Sequence, residues 1–452
     1  MTEGRFGHIT DAPASLLLTG VRVIDPNDGS DAVRDLAVVG GYLADPAAGP
    51  PGVERIDGNG LVVAPGFCDL HTHLREPGGG GAETIASGAR AAARGGFTTV
   101  CAMPNTDPPL DEPARVGWVL EQAREASCRV RVIGAVTIGR RGEALADLGA
   151  MADAGSIAFS DDGASIPSPR LAREALTYLR GVGRPLIEHA EDASLAAGRV
   201  MRAGAVAARL GLAGWSPSAE LTVVERDIAL MAETGARLHL THLSTSAALE
   251  AVRRARARGL PVTCDVTPHH LALTDAWVAG SRRFAWEEPD EEATLDPDLA
   301  YDGACRVNPP LASRDDALAI LAGLADGTVD AIATDHAPHP PERKLAPFDE
   351  AAPGLIGLET ALSVGLAAVA AGRLALPRLI AALSIRPAEI IGERRSMAIG
   401  QPADLVLFDP AARRRLEAAD LATASANTPL LGMELPGIVR LTVADGRITY
   451  RA

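Results

Sequence analysis

Apolar positions follow two different periods in the middle of the chain. Apolar runs of four to eight residues alternate with Ala-rich segments in which apolar residues recur every three or four positions. Short continuous runs are typical of strands buried on both faces, and the longer period is typical of helices that cover a sheet. Strands are predicted at 66–71, 97–103, 129–136, 156–160, 185–189, 237–242, 261–266 and 329–335. Helices are predicted at 84–95, 169–181, 219–235, 246–259, 313–326 and 357–372. Eight such strands alternating with helices predict an α/β fold, a (β/α)8 TIM-type barrel.

The two ends of the chain have a different pattern. Residues 16–64 and the last fifty residues contain short Val- and Leu-rich stretches between turn residues such as Asp445-Gly446. This texture is typical of hairpins and short antiparallel strands. We therefore expect a small β-rich domain formed from both chain ends, with its N-terminal part at 1–64, the catalytic barrel at 65–390 and its C-terminal part at 391–452.

Composition narrows the class of protein. The chain has 452 residues, 47% of them hydrophobic, and a formal net charge of −15, which disfavours a nucleic-acid partner. No apolar run approaches the roughly 20 residues that span a bilayer, and the N-terminus does not have the layout of a signal peptide. The five cysteines are far apart and form no C-x-x-C motif. We expect a cytoplasmic enzyme that acts on a small molecule and does not contact a membrane.

Metal-binding residue types collect where the predicted strands end. His71 and His73 lie two residues apart and so point to the same face of an extended strand. The other strand-end residues are Asp161, Asp162, His189, His242 and Asp335. Histidine and aspartate are ligand types that Zn²⁺ prefers, and barrel enzymes carry their chemistry at this end of the strands. Four imidazoles and two carboxylates, Asp335 and one of the Asp161–Asp162 pair, suit two ions, about 3.5 to 4 Å apart, better than one.

Groups suited to an anionic ligand are predicted at the same end of the barrel. Arg75 follows the histidine pair and offers a planar fork for a carboxylate. Asn105, Asn308 and His339 lie on other loops there. An anionic substrate would be repelled by a chain of this net charge unless such groups are fixed locally.

Three further histidines and one loop lie near the predicted site, and for all but His239 the sequence allows two interpretations. His239 should face away from the barrel interior and serve the structure. His269 and His270 follow the seventh strand, either as direct participants or as residues that support the site or pack the loop. The acidic, aperiodic segment 281–301 is either a solvated loop or a lid over the site.

Long motifs in this region resemble bacterial dihydroorotases of the amidohydrolase superfamily. They are GFCDLHTHLREPG (66–78), GGFTTVCAMPNT (95–106), AFSDDG (158–163), IEHAED (187–192), THLST (241–245), DVTPHHL (265–271), RVNPPL (306–311), IATDHAPH (332–339) and GLIGLETA (354–361). The resemblance implies a zinc enzyme of pyrimidine (UMP) biosynthesis that reversibly cyclises N-carbamoyl-L-aspartate to L-dihydroorotate.

The resemblance also implies a role for each site residue. His71, His73 and Asp335 would hold one zinc, His189 and His242 the other, and Asp162 together with a hydroxide would bridge the two. Substrate would contact His73, Arg75, Asn105, Asn308, His339, Pro353 and Gly354. Asp335 would be the catalytic residue that moves a proton between the attacking oxygen and the ring nitrogen. Many relatives have an aromatic residue where Pro353 stands, so the contact at that position departs from the common pattern.

Two alternatives remain from the residues and the resemblance. The first is another cyclic-amide hydrolase (a hydantoinase, dihydropyrimidinase or allantoinase), in which a carboxylated lysine usually bridges the metals. The only lysine, Lys344, lies far in sequence from the fourth strand. The second is an inactive homologue that supports aspartate carbamoyltransferase, although all six metal-ligand positions are kept. We expect the chain to form a homodimer, and we expect aspartate carbamoyltransferase as a partner.

Overall fold

A computed structural model of the chain describes residues 5–6, 12–48, 52–79, 81–288 and 296–452. Residues 289–295 of the acidic segment 281–301 lie outside this part, so its role as a lid stays a prediction. Within the described ranges, no helix is both long and apolar enough to cross a membrane.

The N-terminal region forms strands that belong to one mixed sheet. Their bounds are β1 (Arg5–Phe6), β2 (Leu16–Asp25), β3 (Ser30–Val39), β4 (Tyr42–Ala44), β5 (Glu54–Asp57) and β6 (Val62–Pro65). The turn at 26–29 joins β2 to β3 as an antiparallel pair, with Gly29 at φ 73°. The predicted hairpin texture is confirmed here.

The middle of the chain forms the predicted barrel strands. The strands of this region are β7 (Phe67–Thr72), β8 (Phe97–Ala102), β9 (Arg129–Gly134), β10 (Ser156–Phe159), β11 (Leu186–Glu188), β12 (Met201–Arg202), β13 (Gly214–Trp215), β14 (Leu238–Leu240), β15 (Thr263–Val266) and β16 (Ala331–Ile332). Eight of these described strands pair in the parallel order β7-β8-β9-β10-β11-β14-β15-β16, and β12 pairs with β13 apart from them. A bridge between Thr72 and His336 connects the first strand to the segment after the last and so closes the ring.

Helices follow most barrel strands, as the apolar period predicts. They are α1 (Ile85–Gly95), α2 (Pro113–Gln122), α3 (Leu148–Asp153), α4 (Pro169–Val182), α5 (Ala193–Ala196), α6 (Ala205–Leu210), α7 (Ser218–Thr234), α8 (Ser246–Ala257), α9 (Pro268–Ala272), α10 (Arg314–Asp326), α11 (Pro341–Lys344), α12 (Ala361–Ala370), α13 (Leu376–Leu383) and α14 (Ile385–Ile390). Local signals set several ends: Thr84 and Ser87 form a capping box on α1, and Gly183 ends α4 at φ 74°. The helix predicted at 357–372 is shorter, because 357–360 form a turn before α12 begins.

The C-terminal region completes the sheet that the N-terminus begins. Its strands are β17 (Leu405–Arg415), β18 (Glu434–Ala444) and β19 (Arg447–Arg451). Strand β17 pairs with β6 on one side and β18 on the other, so strands from both chain ends form one sheet, called the end sheet below. The small β-rich domain from both ends is confirmed, while the boundaries at 64/65 and 390/391 stay a prediction.

Apolar clusters lie inside each part, and a larger one joins the two, in which Val406 and Phe408 of β17 pack with barrel residues such as Phe67. Inside the barrel, Cys68, Leu70, Met103 and Ile133 form a buried cluster with side chains of α14. The end sheet has its own cluster, which includes Leu16, Leu18, Val23, Leu405, Leu407 and Val443. All five cysteines are buried free thiols. The packed interior leaves the carboxyl ends of the barrel strands, called the barrel mouth below, as the place where polar side chains converge.

Candidate active site

The six predicted metal ligands all lie at the barrel mouth. His71 is in β7 and His73 follows it, while Asp162, His189, His242 and Asp335 follow β10, β11, β14 and β16. All six side chains are buried. Parallel strands end on the same side of a barrel, which is why residues separated by up to 264 positions meet here.

One group of donor atoms forms around His71, His73 and Asp335. The Nε2 atoms of the two histidines are 3.2 Å apart, and Oδ1 of Asp335 lies 3.0 Å from Nε2 of His73 and 3.3 Å from Nε2 of His71. These atoms are close enough together to share one metal ion.

A second group forms around Asp162. Its Oδ1 lies 3.3 Å from His71 Nε2 and 3.6 Å from both His189 Nδ1 and His242 Nε2, while its Oδ2 lies 3.6 Å from His73 Nε2. Nδ1 of His189 is 2.9 Å from Nε2 of His242. Asp162 therefore contacts histidines of both groups, and its buried Oδ1 has no hydrogen-bond partner among the described residues.

The hydrogen bonds around the histidine pair set their tautomers. Thr241 Oγ1 donates to Asp265, so it accepts from Nδ1 of His71 at 3.0 Å. Oδ1 of Asn105 can only accept, and it lies 2.8 Å from Nδ1 of His73. With the proton on Nδ1, both rings present an Nε2 lone pair to the same spot. Two lone pairs 3.2 Å apart repel unless a proton or a metal ion lies between them, and the neighbouring carboxylates favour that positive charge, so the donor set fits a metal ion.

The charges of the cluster also favour a cation. Burial alone would raise the pKa of the Asp162 carboxyl, but His71, His189 and His242 lower it well below its usual range. Burial opposes a charge on His71, but Asp162 and Asp335 outweigh it and raise its pKa to about 9. The carboxylates thus attract positive charge into a buried place.

A layer of buried side chains holds these ligands. Asp265 accepts from the backbone N–H of His242 at 2.7 Å and lies 2.7 Å from Nε2 of His239. His239 thus supports the site through Asp265 and does not join the metal group. Asp161 accepts from the backbone N–H groups of Val136, at 2.9 Å, and Thr137, at 3.1 Å. It is directed toward the end of β9, unlike its neighbour Asp162.

Three residues of the mouth have left-handed backbone geometry. Arg75, His242 and Asp335 have φ values of 62°, 42° and 47°. Such angles cost roughly 1 kcal/mol or more in a non-glycine residue. Asp69 counteracts this near Asp335, because it accepts from Thr334 N at 2.8 Å and Thr334 Oγ1 at 2.5 Å.

A cavity of about 200 Å³ opens beside the cluster. Its lining includes all predicted site residues except His71, namely His73, Arg75, Asn105, Asp162, His189, Asn308, His242, Asp335, His339, Pro353 and Gly354. This volume suits a small molecule. The structure therefore brings the predicted substrate groups and the predicted metal ligands to one place.

Arg75 forms the cationic side of this cavity, next to His339. Nε2 of His339 lies 2.8 Å from the Pro353 carbonyl, which can only accept, so this nitrogen carries the proton. A terminal guanidinium nitrogen of Arg75 lies 3.3 Å from the same Nε2, but both atoms are donors, so no hydrogen bond forms between them. Arg75 Nε donates to Pro338 O at 3.2 Å. Burial and the neighbouring Arg75 lower the pKa of His339 to about 3, so His339 is neutral. Among the described residues, the terminal guanidinium nitrogens of Arg75 are left for a ligand.

Two residues near the cavity were not predicted from the sequence. Glu191 accepts from Nδ2 of Asn308 at 3.4 Å and from Nε1 of Trp215 at 2.9 Å, and so orients Asn308. Arg343 is exposed and lines the cavity. The motif around His189 already contained Glu191, but an acidic residue on a loop carries no signal of its own.

His269 and His270 lie away from the lining of this cavity. His270 contacts Thr267 Oγ1 at 2.8 Å and Pro309 O at 3.0 Å, which is a loop-packing role. His269 is buried, and its ring nitrogens find no hydrogen-bond partner in the described ranges. Of the two interpretations, loop packing describes the contacts of His270.

Comparisons with known proteins agree with this geometry. A family model described as "Dihydro-orotase-like" matches residues 60–248. The dihydroorotase of Anaeromyxobacter dehalogenans strain 2CP-C is 46% identical over 96% of this chain and 98% of its own length. The dihydroorotase of Citrifermentans bemidjiense is 42% identical over 97% of this chain and its whole length.

Solved structures share the fold at lower identity. The L-hydantoinase (dihydropyrimidinase) of Arthrobacter aurescens superposes with a TM-score of 0.80 at 24% identity, covering 96% of both chains. The dihydropyrimidinase of Brevibacillus agri gives 0.78 at 20% identity, covering 96% of this chain and 94% of its own. This likeness concerns the fold, whereas the sequence relatives cover nearly the full chain at more than 40% identity. The chain therefore belongs to the dihydroorotase family, a family of cyclic-amide hydrolases.

Proposed function

We propose that the chain is a dihydroorotase, which reversibly cyclises N-carbamoyl-L-aspartate to L-dihydroorotate and water in the de novo synthesis of pyrimidines. The observation that carries the proposal is a guanidinium fixed beside a metal-type cluster in one cavity. Dihydroorotate has a carboxylate next to its cyclic amide, and hydantoin and dihydrouracil do not. Arg75 gives that carboxylate a planar partner.

We propose zinc as the metal, with two ions in each chain. His71, His73 and Asp335 would hold one ion, His189 and His242 the other, and Asp162 would contact both. Support comes from the close approach of the His71 and His73 Nε2 atoms, from Asp162 Oδ1, which has no hydrogen-bond partner in the part of the chain that the structure describes, and from the imidazole-carboxylate donor set. When bound, such ions lower the pKa of water and polarise a carbonyl group.

The substrate groups divide by the part of the molecule that they bind. Arg75, Asn105 and His339 are assigned to the carboxylate, and Asn308, held by Glu191, to the amide groups of the ring. His73 is assigned to both metal and substrate. The backbone of Gly354 is already engaged, because its N–H donates to Arg306 O at 2.8 Å and its carbonyl accepts from Lys344 Nζ, also at 2.8 Å. Pro353 and Gly354 are therefore assigned to shaping the cavity wall.

Asp335 is the proposed catalytic residue for proton transfer. In hydrolysis, an oxygen from water bonds to the ring carbonyl carbon, the bond from that carbon to the ring nitrogen breaks, and a proton moves from the oxygen to the nitrogen. Asp335 lies in the cluster, where its Oδ1 is 3.0 Å from Nε2 of His73, and it lines the cavity, so it is assigned to accept and return this proton. The ring opens to a dianion, so the reverse closure consumes one proton. Acid therefore favours dihydroorotate, by about tenfold per pH unit.

The structure offers little support for the alternatives. The only lysine, Lys344, donates to the carbonyls of Arg306, Ala352 and Gly354 and is not at the metal cluster, so the usual bridging lysine of hydantoinase-type enzymes has no counterpart. All six metal-type ligands converge, which disfavours an inactive homologue. A homodimer, association with aspartate carbamoyltransferase and a cytoplasmic location stay predictions.

The test is turnover of L-dihydroorotate by the purified chain, with zinc supplied and after removal of metal by a chelator. Hydantoin, dihydrouracil and allantoin serve as parallel substrates. We expect metal-dependent turnover of dihydroorotate alone. Turnover of a ring without a carboxylate would contradict the assignment of Arg75, and activity that survives complete metal removal would contradict the metal assignment.

A further inference from the structure

The C-terminal region sends one segment back to the barrel mouth. Residues 421–428, between β17 and β18, contact the loops that follow β7 and β16. Thr423 donates its backbone N–H to Glu359 at 3.2 Å, and Ser425 Oγ donates to Ala82 O at 2.7 Å. This segment therefore joins the end sheet to the mouth.

Asn427 is the residue of this segment that reaches the cavity wall. Its Oδ1 accepts from the backbone N–H of His339 at 3.1 Å, and its Nδ2 donates to Ala337 O at 3.0 Å and Gly354 O at 3.1 Å. Both amide hydrogens and the amide oxygen are thus used. The side chain is 7% exposed and holds two loops that line the cavity.

Lys344 holds the same wall through a second set of hydrogen bonds. Its buried ammonium donates to Ala352 O at 2.7 Å, Gly354 O at 2.8 Å and Arg306 O at 3.1 Å. The Gly354 carbonyl therefore accepts from Asn427 and Lys344 together, which uses both of its lone pairs. A carbonyl bound twice in a buried place has little freedom to rotate.

We propose that Asn427 is a positioning residue for the substrate carboxylate: its amide fixes His339 and Gly354, and thereby the wall against which Arg75 lies. This inference rests on the proposed function. Asp69 holds His71 and the residue before Asp335, and Asp265 holds His242, all without Asn427, so we expect the metal-type ligands to stay in place when Asn427 is lost. The effect therefore falls on substrate binding and spares the chemical step.

The test compares Asn427→Ala with Ser425→Ala, a control that removes a hydrogen bond from the same segment without touching the cavity. We expect Asn427→Ala to raise KM for L-dihydroorotate by about 10- to 100-fold, because an ångström of misplacement has effects of this order. We expect kcat within about threefold of wild type and an unchanged zinc content. Ser425→Ala should leave both kinetic constants unchanged.

Lys344→Met provides a second variant, since it loosens the same wall without altering the C-terminal segment. It should also raise KM with little change in kcat, and hydrogen exchange at 336–340 should become faster in Asn427→Ala than in Ser425→Ala. An unchanged KM in the folded Asn427→Ala variant, or a loss of kcat together with zinc, would overturn the inference. The proposed function would still stand if the wild type turns over dihydroorotate. Absence of dihydroorotate turnover in the metal-loaded wild type would overturn both.

Discussion

The end sheet and the barrel mouth satisfy their polar and apolar groups in opposite ways. In the end sheet, β17 pairs with both neighbours, and its apolar side chains pack in a cluster with residues such as Leu18 and Val443. Its ion pairs, such as Arg22 with Asp31, lie at the surface. At the mouth, four histidines and two aspartates are buried together, and Asp162 keeps an unpartnered oxygen within the described structure.

This difference shows where the chain gives up stability for function. In the end sheet, the backbone groups of β17 pair with neighbouring strands and the apolar side chains pack against each other, so these groups find their partners within the folded chain. The mouth has left-handed backbone at Arg75, His242 and Asp335, and its buried carboxylates attract positive charge that the protein itself does not fully supply. We therefore expect substitutions at the mouth to affect activity far more than stability, and the reverse in the end sheet.

Asp162→Ala should have the largest effect. Removal of the carboxylate that contacts both histidine groups should lower bound zinc and reduce kcat/KM for dihydroorotate by about a thousandfold or more. The free energy of unfolding of the metal-free chain should also fall at neutral pH, because the histidines lower the pKa of the Asp162 carboxyl and the folded state therefore stabilises its charged form. Metal analysis and chemical unfolding with and without chelator measure both effects. Retention of two tightly bound zinc ions would contradict the assigned role.

Leu18→Ala is the matching change in the end sheet. Leu18 is fully buried in the apolar cluster there, and such a truncation costs about 2 to 5 kcal/mol of unfolding free energy. KM and kcat at 25 °C should stay at wild-type values. Denaturant unfolding monitored beside activity tests this, and a large loss of kcat in the folded variant would show that the two regions are not independent.

Arg75→Ala should mainly weaken binding. Loss of a charge-assisted pair to the carboxylate should raise KM for dihydroorotate by about 10- to 100-fold, from roughly 1.5 to 3 kcal/mol. Arg75→Lys should recover only part of this, because a point charge lacks the planar fork. Steady-state kinetics of both variants provide the measurement, and an unchanged KM in Arg75→Ala would remove Arg75 from the site.

His339 gives a prediction about pH. Burial and Arg75 lower its pKa to about 3, so it stays neutral from pH 5 to 9 and adds no positive charge on acidification. KM profiles of wild type and His339→Gln over this range should therefore run parallel, displaced by a constant factor. The unfolded chain takes up a proton on this histidine below about pH 6.5, so wild-type stability should fall more steeply than that of the variant toward pH 4. A KM step near pH 6.5 that disappears in the variant would contradict a neutral His339.

Arg343 should give the smallest effect. It is exposed at the cavity rim, so Arg343→Ala should lower kcat/KM by only about two- to fivefold through weaker attraction of the anion. The loss should be greater for the dianion carbamoyl-aspartate than for dihydroorotate, and should shrink at high salt. Equal loss for both substrates at all salt concentrations would indicate a direct contact in place of long-range attraction.

Much of the fold and of the candidate site could be predicted from local pattern. The strand around His71 was predicted from a continuous apolar run, and the helix that begins after Thr84 from apolar residues recurring every three or four positions. The ligand types at strand ends were predicted because a barrel brings all carboxyl ends to one side. The lid role of 281–301 could not be decided, since an aperiodic acidic loop has no local preference for one position.

The sequence by itself determined the barrel, the small β-rich domain from both chain ends and the residue types that meet at the mouth, because hydrophobic period and turn chemistry act over a few neighbouring residues. Only the tertiary structure shows the contacts that hold Asp161 away from the histidines and bring Asp162 to them, and that Asn427 returns from the C-terminal region to the cavity wall. Those choices depend on hydrogen-bond partners tens to hundreds of positions away. Such contacts exist only after the chain has closed its long loops, and no local pattern records them.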